Sequence, residues 1–299
     1  MSEPNIPDEI LHHILNYLLA VDESLFCRFP SYDRTYGRGC YRSHSEWEHI
    51  MLLRQSSLLL VSKRWLRVGT PLLYRGVVIW KAEHTKTLAR LFKANPAIGA
   101  ATRYLRLEGG LGKDLHDVAR MTPNVHTLYL NISIRGTESI AGLRRALPIL
   151  KLSKLYLTYM SYAGESKVIR EGRELVEKCL THHLVTLRTI ILPQGFRMST
   201  SIAVALGNAP ALETVSASSE YYNITDWLKR GYIQLIATNP RLQRICCRGA
   251  RGKPAVDDMI TQMGVPERIA NLFTYERTYM DDIRYGSPRN LRKDVNRWR

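Results

Sequence analysis

Residues 58–79 read LLLVSKRWLRVGTPLLYRGVVI. Leu58, Val61, Trp65 and Val68 fall at i, i+3, i+7 and i+10, a spacing that predicts one apolar helix face. Lys63, Arg64 and Arg67 take the opposite, wet face. Gly69 and Pro71 predict the end of this helix, because glycine adopts the left-handed C′ conformation and proline cannot continue the hydrogen-bond ladder. Leu72, Leu73 and Tyr74 follow as an apolar latch, and Val77 to Trp80 predict a short strand. By itself the stretch reads as a core helix leading into a sheet, in a protein of mixed α and β structure.

The N-terminus adds a second amphipathic helix. It opens with Ile6-Pro7-Asp8-Glu9-Ile10-Leu11. Pro7 suits the first helical position, where its missing N–H costs nothing. Asp8 and Glu9 occupy the first turn, where the helix dipole favours negative charge. Ile10, Leu11, Ile14, Leu15, Leu18 and Leu19 form a broad stripe, more aliphatic surface than so short a helix needs for its own packing. The remainder predicts a partner site.

Together, Ile6 to Leu11 with Ile14 and Leu15, then Leu60-Val61-Ser62-Lys63-Arg64-Trp65 and Pro71-Leu72-Leu73-Tyr74, resemble the F-box. The segment LLLVSKRWLRVGTPLLY looks like the divergent F-box-like group common in mushroom-forming fungi. The resemblance implies docking to an adaptor of the SKP family, and through it to a cullin scaffold. It assigns Pro7, Ile10, Leu11, Ile14, Leu15, Val61 and Trp65 to adaptor contact or to holding that surface. It covers about the first 80 residues, with an insert at about 22–50 where most F-boxes have a short link. That insert, with Phe26, Cys27 and Phe29 followed by a Tyr/Arg/Gly/Ser-rich run, reads as a loop.

Beyond residue 80 the pattern changes. Residues 81–93 predict a helix with Leu88, Leu91 and Phe92 inward. A loose repeat of apolar-x-x-Leu-x-Leu type then runs through Thr102-Leu105-Leu107, Val125-Leu128-Leu130, Leu152-Leu155-Leu157, Leu187-Ile190-Leu192, Leu212-Val215-Ala217 and Leu242-Ile245-Cys247. Asn95-Pro96, Thr122-Pro123, Ala209-Pro210 and Asn239-Pro240 mark turns ahead of four copies. Each interval has room for a strand and a returning helix, such as Glu174 to Leu180 or Trp227 to Ala237. This resembles leucine-rich repeats, stacked into a solenoid. Most copies lack the usual Asn or Cys after the second Leu, so the coils are expected to be irregular.

The sequence therefore predicts an α/β (α+β) chain in three parts. A small helical F-box-like domain spans 1–80, an irregular leucine-rich-repeat-like solenoid of short strands and helices spans 81–250, and a cap and basic tail span 251–299. Within the cap, Pro266 to Leu272 predict a short helix, and Arg289 to Arg299, with Trp298, read as a tail. Alternation sends Leu105, Leu107, Leu128, Leu130, Leu155, Leu157, Ile190 and Leu192 into the core. It leaves Arg106, Tyr129, Asn131, Tyr156, Thr158, Ile191, Ser216 and Arg248 to line a concave, target-binding sheet face.

Composition narrows the function classes. The chain of 299 residues is 45% hydrophobic and 23% charged, ordinary for a globular protein. No stretch reaches the length of apolar run a membrane span needs, and no basic n-region precedes an apolar segment, so neither membrane nor export is expected. Five cysteines form no CxxC and no even framework, which fits reduced thiols in the cytoplasm or nucleus. The net charge of +16 is uneven: 9 basic against 8 acidic groups in residues 1–80, 24 against 12 in 81–250, and 10 against 7 in 251–299. Such a field draws anionic partners. An acidic or phosphorylated target protein fits it better than nucleic acid, because the Lys and Arg are scattered rather than clustered on one helix.

Motifs for chemistry are missing. Gly109-Gly110-Leu111-Gly112-Lys113-Asp114 has Leu107 where a Walker A loop needs its first Gly, and Asp114 where it needs Ser or Thr. Cys27, Cys40, His44 and His49 lack the tight spacing of a zinc site. No metal, cofactor or enzymatic activity is expected. The resemblance implies a non-catalytic substrate-recognition subunit of an SCF-type ubiquitin ligase. A basic nucleic-acid-binding protein or a general interaction scaffold is the alternative.

Overall fold

A computed structural model of the chain describes residues 6–27, 56–109, 111–132, 139–158, 167–192, 196–218, 223–248 and 253–276. The chain is mixed α/β and divides into two compact units, 1–152 and 153–299. The boundary expected at residue 80 falls inside the first unit. The Cys40, His44 and His49 of the insert, and the tail from Arg289, lie outside the described residues.

In the first unit, helix α1 spans Asp8–Leu19 and the short α2 spans Glu23–Phe26, where a loop is predicted. Helix α3 spans Lys63–Leu73 and leads into β1, Gly76–Ile79. The predicted continuous stripe from Leu58 breaks at Ser62. Residues Ser57–Leu60 form a 3₁₀ turn, and Ser62, in extended conformation, caps α3 by accepting a hydrogen bond from Trp65 N at 3.3 Å. Val61 is therefore outside the helix and exposed. Nor do Gly69 and Pro71 end the helix, which runs on to Leu73. Gly69 has a packing role instead. A Cβ there would collide with Leu59 and press within 3.2 and 3.3 Å of Leu19 and Leu15.

Helix α4 (Ala82–Ala94) follows as expected, then α5 (Pro96–Ala101), β2 (Tyr104–Leu107), α6 (Leu115–Met121), β3 (Thr127–Asn131) and α7 (Ala141–Ala146). Strands β1, β2 and β3 pair in parallel and in chain order, with Leu105 opposite Val77 and Leu128. Helices α4, α6 and α7 pack on one another in the same order. The glycine-rich turn after β2 meets the start of α7: Leu111 O accepts from Gly142 N at 3.0 Å and from Leu143 N at 3.1 Å, and Gly112 O occupies the space a Cβ on Gly142 would need.

The second unit repeats the plan. It runs β4 (Lys154–Thr158), α8 (Lys167–His182), β5 (Thr189–Leu192), α9 (Thr200–Gly207), β6 (Thr214–Ser218), α10 (Asn223–Lys229), α11 (Tyr232–Ile236), β7 (Arg244–Arg248), α12 (Lys253–Gln262), α13 (Glu267–Ala270) and β8 (Phe273–Glu276). Strands β4 to β8 are parallel, each paired with the next in the chain. The six predicted Leu-x-Leu copies are β2 to β7. Helix α12 and strand β8 are additions at the C-terminal end. The helix predicted over Trp227 to Ala237 is two helices, because Gly231 adopts φ 73°, a left-handed turn that L side chains resist.

The predicted inward residues are the core: Leu105, Leu107, Leu128, Leu130, Leu155, Leu157, Ile190 and Leu192 are all buried. Asparagines in the Pro turns tie successive tiers. Asn239 Nδ2 donates to Leu206 O (3.0 Å) and Ala209 O (2.8 Å), and its Oδ1 accepts from Arg241 N at 2.9 Å. Asn124 Nδ2 donates to Ala100 O at 2.7 Å. These side chains add a hydrogen bond to carbonyls of the preceding tier, at helix ends and turns.

Candidate functional site

The strongest candidate surface is on the N-terminal helix pair. Pro7 caps α1 in an extended conformation, and Leu11 N donates to Pro7 O at 3.0 Å. Pro7 thus precedes the first helical position by one residue, and it is exposed. Leu11, Leu15 and Leu19, spaced by four, point inward and join Leu59 and Leu72, with Leu58, Trp65, Val68 and Leu73 at the margin. Ile10, Ile14 and Leu18, also spaced by four, form the adjacent row and stay 50%, 40% and 40% exposed. Tyr17 beside them is more exposed still, as are Leu60 and Val61 ahead of α3, and Leu66 within it is also exposed.

Charge locks the two helices together. Asp8 Oδ1 accepts from Arg64 Nε at 2.7 Å and Asp8 Oδ2 from Arg67 Nη2 at 2.6 Å. Arg64 Nη2 also donates to Ile6 O. Arg67 stays exposed, as its periodicity predicts, and Arg64 is half-buried; both reach the first turn of α1 through Asp8. The Arg64 hydrogen bond, with the charge of both arginines, holds the Asp8 carboxyl below its usual range.

The seven residues assigned to this surface thus split. Pro7, Ile10, Ile14 and Val61 are exposed. Leu11 and Leu15 are core, and Trp65 is half-buried against them, so these three hold the surface rather than form it. Leu18, Leu60 and Leu66 are exposed apolar positions that the assignment omits. The i, i+4 row from Ile10 carries Leu18 and is legible in the sequence; Leu60 and Leu66 depend on the break at Ser62.

The second candidate, the strand face expected to bind a target, is a different matter. Arg106, Tyr129, Tyr156, Thr158, Ile191 and Ser216 are buried, and Asn131 and Arg248 are half-buried. The expected open concave face is corrected accordingly. Parallel sheets are usually dry on both faces, and in the first unit the covering is visible. Phe26 and Cys27 are buried, and the Phe26 ring lies where a Cβ on Gly76 would be, 2.8 Å from that position. Arg106 Nη1 donates to Phe26 O at 2.8 Å; its Nε and Nη2 donate to Glu108 Oε1 at 2.8 and 2.6 Å. Asn131 Nδ2 donates to Glu108 Oε2 at 2.8 Å, and the Arg106 guanidinium lies 4.1 Å from the Tyr129 ring centre. The buried cation is fully paired, as its burial demands. This arrangement is a structural fastening of the α2 segment onto β2.

Among the described residues, no group of His, Cys, Asp or Glu could hold a metal ion. Cys179, Cys246 and Cys247 are buried, and burial pushes their thiols up to about 11, about 11 and about 12. Such thiols are poor nucleophiles. Tyr275, raised chiefly by burial, donates to Asp257 Oδ1. No helix among the described residues is long and apolar enough to cross a membrane. No family model matches the chain, and no curated protein matches it.

Proposed function

We propose that this chain is a non-catalytic recognition subunit of an SCF-type ubiquitin ligase, an F-box-like protein of the fungal kind. Its N-terminal helix pair docks a SKP-family adaptor and, through it, a cullin. The strand-and-helix region, an irregular leucine-rich-repeat-like solenoid, holds a target protein. The chain would work in the cytoplasm or nucleus and break or form no bond itself. Its contribution is proximity, raising the effective concentration of target side chains near the transfer machinery.

One observation carries this reading. Helix α1 bears two aliphatic rows; the chain uses Leu11, Leu15 and Leu19 for its own core and leaves Ile10, Ile14 and Leu18 in water. An exposed apolar row on a helix that is already anchored marks an interaction site. The Asp8–Arg64–Arg67 clamp supports it, since a fixed helix pair gives a partner a preformed surface.

The test is binding of the full chain to a purified SKP-family adaptor. Because Leu11 is core, the informative variant is Ile10→Asp with Ile14→Asp, which spares the packed row. It is expected to abolish co-purification while the circular dichroism spectrum and unfolding midpoint stay near those of the parent. Undiminished capture by the double variant overturns the reading.

A further inference from the structure

Residues 81–152 of the first unit are polarised in charge. Within residues 81–152 the described acidic residues are Glu83, Glu108, Asp114 and Asp117. All four lie at the edge where strands end and helices begin. Residues 84–107, 118–132 and 139–152 contain no Asp or Glu. These segments include the helix ends and the turns that lead into β2 and β3, so the charges they bring to the opposite edge are all positive.

That edge is built tier on tier. Arg103 N and Tyr104 N both donate to Arg75 O, at 2.8 and 3.0 Å; His126 N and Thr127 N both donate to Arg103 O, at 3.1 and 3.3 Å. Arg75, Arg103 and His126 therefore stand in a row just ahead of β1, β2 and β3. The Arg75 guanidinium lies 5.7 Å from the Tyr104 ring centre, and the Tyr104 and His126 rings meet edge to face at 5.4 Å. Outside this row, Lys93 ends α4, Arg120 ends α6, and Lys151 follows the 3₁₀ turn Leu147–Ile149, which packs on α6. All three are exposed and have no ion pair among the described residues. Cations at helix C-termini are favoured by the dipole, which accounts for their position one by one. It does not account for the lack of any carboxylate in residues 84–107, 118–132 and 139–152.

We infer that this edge is a second docking surface, which takes an acidic polypeptide segment of a partner protein. Complementary charge would bring the segment in and set its orientation. One feature favours polypeptide over nucleic acid. Ile149, 44% exposed beside Lys151, offers an apolar anchor of the kind protein interfaces use.

The test uses the full chain and a fluorescent glutamate-rich peptide, with duplex DNA of matched charge as the comparison, by anisotropy at moderate salt. Combined Lys93→Glu, Arg120→Glu and Lys151→Glu should weaken peptide binding by about tenfold or more, as three exposed pairs of ordinary strength imply. The same three positions changed to Gln guard against misfolding and should give a smaller loss in the same direction. Lys81→Glu, Lys86→Glu and Lys113→Glu together reverse the same amount of charge elsewhere in the unit and should leave binding within about twofold. Absence of peptide binding, equal loss from both sets, or tighter binding of the duplex overturns the inference.

Discussion

Truncating Leu15 and Ile14, neighbours on one helix, should have very different consequences. Leu15 is fully buried among Leu11, Leu19, Leu59 and Leu72, and its Cδ1 lies 3.3 Å from where a Cβ on Gly69 would sit. Leu→Ala at such a site loses the transfer energy of the removed atoms and leaves a cavity, about 3–5 kcal/mol together. The upper part of that range applies because Gly69 of α3 already packs tightly against the Leu15, Leu19 and Leu59 side chains, so little collapse is left to fill the hole. Ile14 is 40% exposed. Its truncation forfeits only partial burial, about 1 kcal/mol, and alanine's better helix propensity returns about 0.4 kcal/mol. Amide hydrogen exchange across α1 and α3, read by mass spectrometry, gives the local opening free energy for each variant. Leu15→Ala should lower it by several kcal/mol and Ile14→Ala by less than about 1. Equal losses, or a larger one at Ile14, would mean that the two rows are not core and surface, and would remove the basis for a docking face on α1.

Three further outcomes are expected. Arg106→Leu leaves Glu108, with a side chain only 10% exposed, beside no cation, and should destabilise the first unit by about 3–5 kcal/mol in urea unfolding; Arg106→Leu with Glu108→Leu should recover much of that loss. The Asp8 carboxyl is held low by its arginines, so its contribution to stability is present above the unfolded carboxyl value, about 3.9, and disappears as pH falls through the lower folded value; Asp8→Asn should flatten this acid limb in a pH series of thermal midpoints. Cys246 and Cys247, with thiols pushed up to about 11 and about 12, should resist alkylation at mildly alkaline pH until the chain is unfolded, which a timed iodoacetamide reaction with mass detection measures.

The outcome at α3 shows where local pattern reading stops. The periodicity of Leu58 to Val68 is real, and Leu58, Trp65 and Val68 do meet the same core. Yet Ser62 competes for the backbone as an N-cap, and its hydrogen bond to Trp65 N starts the helix later and turns Val61 outward. Pro71 lies within the last turns of the helix, where the ladder bond it forgoes is among the last, and tertiary packing against α1 outweighs the loss. The face of Lys63 and Arg67 is exposed, as read, but a single helix does not reveal that Asp8, more than fifty residues away, will pair with Arg64 and Arg67.

The sequence alone determined the strands and what they bury. Six Leu-x-Leu copies became parallel strands with the predicted residues inward, because a period of two and an apolar face are local properties. Tertiary structure alone decided which of the remaining side chains stay in water. The other sheet face could only be seen as closed once Phe26 was placed on Gly76 and Arg106, and the apolar row of α1 could only be divided into core and surface once α3 had taken Leu11, Leu15 and Leu19. Burial is a property of what lies opposite, and nothing in a residue's own neighbourhood along the chain says what that will be.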